Sequence, residues 1–260
     1  MPILTLTTDW GINDHYVGAF KGSILTGCAD IKIVSISNTI EPFNTIKASF
    51  VLKNSYRNFP EGTIHFVGVM RYDNIKSNEI KEMKRVVIKC NGHFFIGSDS
   101  GIFSLVLGDS EMEIISLDDV TFQNETEKYV SAICHIANGK PFQDLGAKLD
   151  SMTHSYMLSP TIDSSMIRCT IIYIDSFGNG VTNLTRQQFE EGRTERKFTV
   201  FFPDNSHFVN SISKHYTDVV NGEAVALFNS AGYLEIAQNC SSAQKLMGIK
   251  IMDTVRIEFQ

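Results

Sequence analysis

The feature that most constrains the fold is a change of rhythm between the two halves of the chain. The first half alternates strand-like and helix-like stretches. ILTLTT (3–8) has the Ile, Leu and Thr content and alternation of a strand, and residues 14–25 then carry Tyr16, Val17, Phe20, Ile24 and Leu25 at helical spacing. IKIVSIS (31–37) is a second strand, Ile46, Phe50, Val51 and Leu52 mark a second helix, and TIHFVGV (63–69) is a third strand. Strand–helix–strand–helix–strand order calls for a largely parallel sheet with helices packed on it. RVVIKCNGHFFIGSD (85–99) reads as a hairpin, because Asn91-Gly92 is the preferred pair for a two-residue turn. SGIFSLVLG and NETEKYVSAICHIANG read as helices around the strand EIISL, with Asn124 as N-cap and Gly139 as stop. From about residue 160 the rhythm changes to short strands with turn signals, and only TRQQFEEG and SSAQKLMG look helical. The expected organisation is an α/β domain over 1–145, a linker over 146–160 and a small β-barrel domain over 161–260.

Composition narrows the class of partner. With 43% apolar and 20% charged residues, the 260-residue chain can bury a sizeable core. A net charge of -6, without a Lys/Arg cluster, argues against a nucleic-acid face and for a small-molecule ligand. Five scattered cysteines without a CxxC fit a reducing compartment better than a disulfide framework. Seven histidines without HExxH or paired spacing give no metal site. No basic, apolar leader opens the chain and no apolar run is long enough to span a membrane, so the expected location is the cytoplasm.

Three stretches could carry chemistry. In TTDWGINDHYVG, Asp9 follows a strand, where open parallel sheets bind ligands, and its two acceptor oxygens suit a diol such as the ribose 2′,3′-hydroxyls. Asp9 could equally shape the turn before Gly11, and Asp14 is a second candidate ligand-binding acid that is also well placed to cap the following helix. In YIDSFGNGVTNL, Asp175, Phe177, Asn179 and Asn183 combine an acid, a ring and amides in a Gly-broken turn. Such a loop could stack on a base and read its edge, or be ordinary hairpin punctuation. In NSAGYLEIAQN, Ser230 sits in a turn and Glu235 interrupts an apolar strand.

Together these stretches resemble the family of S-adenosylmethionine hydroxide adenosyltransferases, which includes the fluorinase and chlorinase enzymes. TTDWGINDHYVGAFKG, IEPFNTIKAS with FPEGTIHFV, IDSFGNGVTN and NSAGYLEIAQN carry the resemblance in the family's order, and GSDSGIFSLVL adds to it. The resemblance implies an α/β domain followed by a β-barrel. It also implies a homotrimer whose adenosyl ligand lies between the N-domain of one subunit and the C-domain of its neighbour. Its chemistry is displacement at ribose C5′, with methionine leaving as a neutral thioether and no cofactor beyond S-adenosylmethionine itself. By resemblance Asp9 binds the ribose diol, Phe43 lies beside the ribose, and Asp175 lies near the methionine amino group. Phe177 and Asn179 surround the adenine, and Ser230 falls in the loop at the methionine end.

The chain departs from that pattern where the nucleophile is handled. Hydroxide-using relatives follow the strand equivalent to TIHFV with Asp-Pro-Gly-Val-Gly and an Arg; here Met70 stands for the acid and the Arg position falls near Ser77. Their His after Thr-Phe is Gln123 here. Asp73 and Asn124 stand at the halide-pocket positions of the halide-using relatives, Arg71 lies close by, and Ala231 replaces an Arg that serves their carboxylate. An ionised Asp73 would repel an anion. Two readings follow. One is an enzyme that cleaves S-adenosylmethionine with water placed by Asp73, Gln123 or Asn124. The other is a binding or sensing protein with weak catalysis or none.

Overall fold

The computed structural model describes residues 1–70, 83–118, 124–204 and 206–260, and the chain forms two compact units, Met1–Tyr156 and Met157–Gln260. The first unit contains β1 (Ile3–Thr8), α1 (His15–Gly27), β2 (Lys32–Ser37), α2 (Thr45–Lys53), β3 (Ile64–Gly68) and β4 (Arg85–Cys90). It continues with β5 (His93–Ser98), α3 (Ile102–Leu107), β6 (Met112–Ser116), α4 (Glu125–Ala137) and β7 (Lys148–Leu149). The strands form one sheet in the order β2-β1-β3-β5-β4-β6-β7. The β2-β1-β3-β5 part is parallel, as the alternation requires, whereas β4, β6 and β7 join antiparallel. The cause is the β4–β5 hairpin, whose turn residues Asn91 (φ 49°) and Gly92 (φ 77°) both take the left-handed backbone that a tight hairpin needs. Strand β7 falls within the stretch 146–160.

Strand alternation sends each residue of β1 to one of two buried faces. Leu4 and Leu6 meet Phe20 and Ile24 of α1 and Ile133 of α4. The opposite face of the sheet, with Val67, Val86 and Phe95, is covered by Ala48 and Leu52 of α2 and Phe103 of α3. Each such large side chain contributes about 1.5–3 kcal/mol by burial. From β1 the chain moves outward to β2, then returns through α2 to pair β3 on the other side of β1. The order therefore reverses between β1 and β3, which opens a crevice at their carboxyl ends.

The second unit contains β8 (Thr161–Ile162), β9 (Met166–Ile174), β10 (Gly180–Thr185), α5 (Arg186–Arg193), β11 (Phe198–Phe201) and β12 (Phe208–Val209). Then come β13 (Ala224–Phe228), β14 (Tyr233–Gln238), α6 (Ala243–Leu246) and β15 (Thr254–Phe259). They pair antiparallel in the order β12-β11-β15-β9-β10-β14-β13, with β8 on β9. Strand β12 lies beside β13, and a bridge from Ser213 to Leu227 nearly closes the sheet into a barrel. Its interior holds Ile171, Leu184, Val200, Ile236 and Ile257, capped by Phe189 of α5. Helix α5 starts at a capping box formed by Thr185 and Gln188, as the T-x-x-Q spacing suggests.

A polar chain crosses the otherwise apolar α2 side of the first sheet. Thr5 Oγ1 is hydrogen-bonded to His65 Nδ1 at 2.7 Å, and His65 Nε2 to His93 Nδ1 at 3.2 Å. Burial, reinforced by His93, pushes the His65 pKa down to about 3. His65 is therefore neutral when folded and takes a proton only on unfolding. Because its folded pKa is depressed, stability is full above the unfolded value near 6.5 and falls as pH drops toward 3. The loss should reach on the order of 4 kcal/mol at the bottom of that window. Denaturant midpoints measured from pH 7 to 3 should show this slope, and His65→Gln should flatten it.

Candidate functional site

Strand β1 stops at Thr8, and the next residue, Asp9, stands at the switch point between β1 and β3. Its backbone N–H donates to Gly68 O at 3.5 Å, while Gly11 (φ 74°) turns the chain and donates to Asn38 O at 2.8 Å. Asp9 Oδ2 accepts the Phe43 backbone N–H at 2.9 Å, across 34 residues of sequence. Phe43 is held at φ 65°, a conformation that costs a non-glycine residue about 1–3 kcal/mol and tends to mark functional loops. Asp9 is half-buried. Burial raises its pKa, and the Phe43 N–H opposes that shift by stabilising the carboxylate.

A cavity of about 440 Å³ opens here, lined by Asp9, Asp14, Phe43, Ser98, Glu125 and Tyr129 among others. One wall is aromatic. Trp10 lies 5.6 Å from Phe66 and Phe66 lies 5.2 Å from Tyr129, measured between ring centroids. Gly68 lets that wall close, since a Cβ there would fall 2.8 Å from the Trp10 ring and 2.9 Å from the Phe66 ring. Asp14 occupies the N-cap position of α1 with extended backbone, but its side chain makes no capping hydrogen bond. The capping role expected from sequence is thus absent, and the carboxylate faces the cavity instead. No Lys or Arg is among the described residues that line this cavity.

At the cavity's inner end, Ser98 Oγ and Tyr129 Oη are 3.0 Å apart, and either can donate. Burial pushes the Tyr129 phenol up, so it stays protonated. Glu125, one helical turn before Tyr129, is ion-paired with Arg85, whose guanidinium also lies 3.6 Å from Asp118.

The second unit has a cavity of its own, about 670 Å³, lined by Asp175, Phe177, Asn179, Tyr216 and Ser242 among others. Asp175 organises the loop after β9. Its Oδ1 accepts the backbone N–H of Phe177 and of Asn179 at 2.9 Å each, and its Oδ2 accepts from the Asn179 amide at 3.1 Å. Tight folding leaves the Phe177 ring 77% exposed, as a stacking platform requires. Gly178 (φ 86°) is needed because a Cβ would lie 2.1 Å from Ser242 Oγ. Below the loop, Tyr216 donates to the buried Glu235 at 2.6 Å and Asn229 donates to it at 3.1 Å. Burial raises the pKa of both Tyr216 and Glu235. Ser230 is exposed in the turn between β13 and β14.

The sequence model for the SAM hydroxide adenosyltransferase N-terminal domain matches residues 4–146, and that for the C-terminal domain matches residues 169–256. The chain belongs to the SAM hydroxide adenosyltransferase family. A relative from Methanocaldococcus jannaschii, named (R)-S-adenosyl-L-methionine hydrolase, is 31% identical over 99% of this chain and 96% of its own. A fluorinase from Actinopolyspora mzabensis is 24% identical over 98% of this chain and 97% of its own. Among solved structures, an uncharacterized conserved protein from Thermotoga maritima matches with a TM-score of 0.82 at 25% identity over 99% of both chains.

The candidate ligand-binding residues from the sequence, apart from Ser230, fall into two groups. Asp9, Asp14 and Phe43 share the first cavity, and Asp175, Phe177 and Asn179 share the second. Asp73 and Gln123, with Arg71 and Ser77, lie outside the described residues. Asn124 caps α4: its Oδ1 accepts the Glu127 N–H at 2.9 Å and its amide donates to Glu127 Oε1 at 3.0 Å. Met70 reaches the first cavity. Sequence reasoning passed over Ser98, Glu125 and Tyr129. Ser98 could have been found as the last residue of a parallel strand, and Glu125 with Tyr129 as an i, i+4 pair on one helix face. Among the described residues, no group of three or more His, Cys, Asp or Glu could hold a metal. Since Gly68 is where β3, Trp10 and Phe66 meet, Gly68→Ala should lower the unfolding free energy by about 1–3 kcal/mol in denaturant titrations and also weaken ligand binding.

Proposed function

We propose that this chain binds S-adenosylmethionine and cleaves it to adenosine and methionine, with water as the nucleophile at ribose C5′. The observation that carries the reading is the charge of the first cavity. Asp9 and Asp14 line it beside Glu125, whose charge is met by Arg85 from outside the lining, and no described basic residue is among the lining residues, which include an aromatic wall. Such a site repels phosphates and suits a ligand with a cationic sulfonium and ammonium. Asp9, anchored by the Phe43 N–H, accepts from the ribose diol. Phe43 covers the sugar, and Asp175, Phe177, Asn179 and Ser230 serve the adenine and methionine ends. No cofactor is required, because S-adenosylmethionine carries its own leaving group.

The chemistry asks little of a general acid. The water oxygen bonds to C5′ as the C5′–S bond breaks, and the electron pair leaves on sulfur as a neutral thioether. One proton is released. The protein's work is to hold the ribose still and present a partly desolvated water in line with the breaking bond. The ligand-binding residues are divided between the two units, which supports a homotrimer that assembles each site from neighbouring subunits. Light scattering should then return three times the mass of the chain. Five unpaired cysteines support a reducing, cytoplasmic setting. Among the described residues no helix is long and apolar enough to cross a membrane.

Incubation of the purified protein with S-adenosylmethionine, followed by chromatography, should show adenosine and methionine in equal amounts. Asp9→Ala should reduce kcat/KM about ten- to hundredfold, the worth of a charge-assisted hydrogen bond to the diol. Ligand affinity should weaken as pH falls through the raised Asp9 pKa, beginning above the range of an ordinary aspartate, and Asp9→Asn should remove that dependence. Tight binding without turnover would make the protein a sensor rather than an enzyme.

A further inference from the structure

We propose that Ser98 and Tyr129 hold the attacking water in the first cavity and that Glu125 accepts its proton. The inference rests on the reading of the chain as an S-adenosylmethionine-cleaving enzyme and names the residues that handle its nucleophile. Of the candidates from the family resemblance, Asn124 is engaged as a helix cap, Met70 brings no proton acceptor, and Asp73 and Gln123 lie outside the described residues.

The geometry supports a division of labour. Asp9 has one oxygen bound by the Phe43 amide and faces the sugar. Ser98 and Tyr129 are each only 8% exposed, line the same cavity, and sit 3.0 Å apart at the carboxyl end of β5 and on the facing side of α4. Their mutual hydrogen bond uses one of two hydroxyl hydrogens, and the Arg85 guanidinium donates to the phenol oxygen, using one of its lone pairs. The second hydrogen and the remaining lone pairs can fix a water both as acceptor and as donor. The phenol is a donor rather than a base, because burial keeps it protonated. The proton therefore needs another acceptor. Glu125 lies one turn earlier on the same face of α4 and is held there by its ion pair with Arg85. Arg85 is a positioning residue that fixes Glu125. The Phe66 and Trp10 rings continue the wall from Tyr129 and limit the shell of competing waters.

In the step itself, a lone pair of the held water forms the O–C5′ bond and the C5′–S pair departs on sulfur. The resulting oxonium gives one proton to the Glu125 carboxylate, which is partly exposed and returns it to solvent. One water is consumed and one proton appears, so atoms and charge balance.

The test measures kcat, KM and adenosine affinity by calorimetry for wild type, Tyr129→Phe, Ser98→Ala and Glu125→Gln. Both hydroxyl deletions should lower kcat about a hundredfold and leave adenosine affinity within twofold of wild type, a split that a purely structural tie between β5 and α4 would not produce. The double variant should lose no more than the worse single one, since the two hydroxyls act as a unit. Glu125→Gln should lose about a hundredfold in kcat, and Glu125→Asp should recover part of it. Wild-type kcat in both Tyr129→Phe and Ser98→Ala, or losses confined to affinity, overturns the inference while the cleavage reading stands. A wild-type protein that binds S-adenosylmethionine and releases no adenosine overturns both.

Discussion

One hydrogen bond, from the Phe43 amide to Asp9 Oδ2, ties together the features on which the first unit's cavity depends. It partly offsets the cost of burying the carboxylate, whose pKa burial still raises, and it is made by a phenylalanine held in a left-handed backbone conformation. It also connects the loop after β1 to the loop before α2, the two segments that flank the switch point. Those loops stand where they do because β1 sits between β2 and β3 with both of its faces covered. The acid is placed by the sheet, and the loop's N–H opposes the upward pull of burial on its pKa.

Much of this was legible from local signals. The alternation of ILTLTT, the Asn91-Gly92 pair and the Thr185–Gln188 spacing each encode their element within a few residues. The carboxyl-end rule singled out Asp9 without any contact being known. Other features depend on residues far apart in sequence. Ser98 and Tyr129 are separated by 31 positions, and nothing in HFFIGSD or ETEKYV alone says that their hydroxyls meet. Asp14 illustrates the reverse error. It has the residue type and the position of an N-cap, yet tertiary context leaves its carboxylate uncapping and on the cavity side. The His65–His93 pair was invisible for a similar reason, because a strand pattern does not distinguish a histidine paired in the core from one in water.

The second unit shows how a turn that looks like ordinary punctuation can be constrained by its chemistry. Asp175 makes three hydrogen bonds inside its own loop, to Phe177 and Asn179. This satisfies backbone donors that a short Gly-broken turn would leave exposed, and it fixes the ring of Phe177 outward at the entropic cost of a rigid loop. The turn-forming reading open at the level of sequence is what these hydrogen bonds show. The residues punctuate the hairpin, and by doing so they leave the Phe177 ring exposed on a rigid loop.

The charge distribution of the first cavity also bears on how a cationic substrate could be bound without being trapped. As the C5′–S bond breaks, positive charge on sulfur disappears, so a carboxylate placed against the sulfonium would stabilise the ground state more than the transition state. Carboxylates that met the ribose diol and the ammonium instead would act on groups whose charge does not change, and would bind both states alike. The neutral, aromatic wall of Trp10, Phe66 and Tyr129 suits the region where charge collapses, since a less polar transition state loses little by leaving water. A cavity that is acidic at its rim and apolar along one wall thus separates holding the ligand from reacting with it. In such an arrangement, rate depends chiefly on where the single water is held.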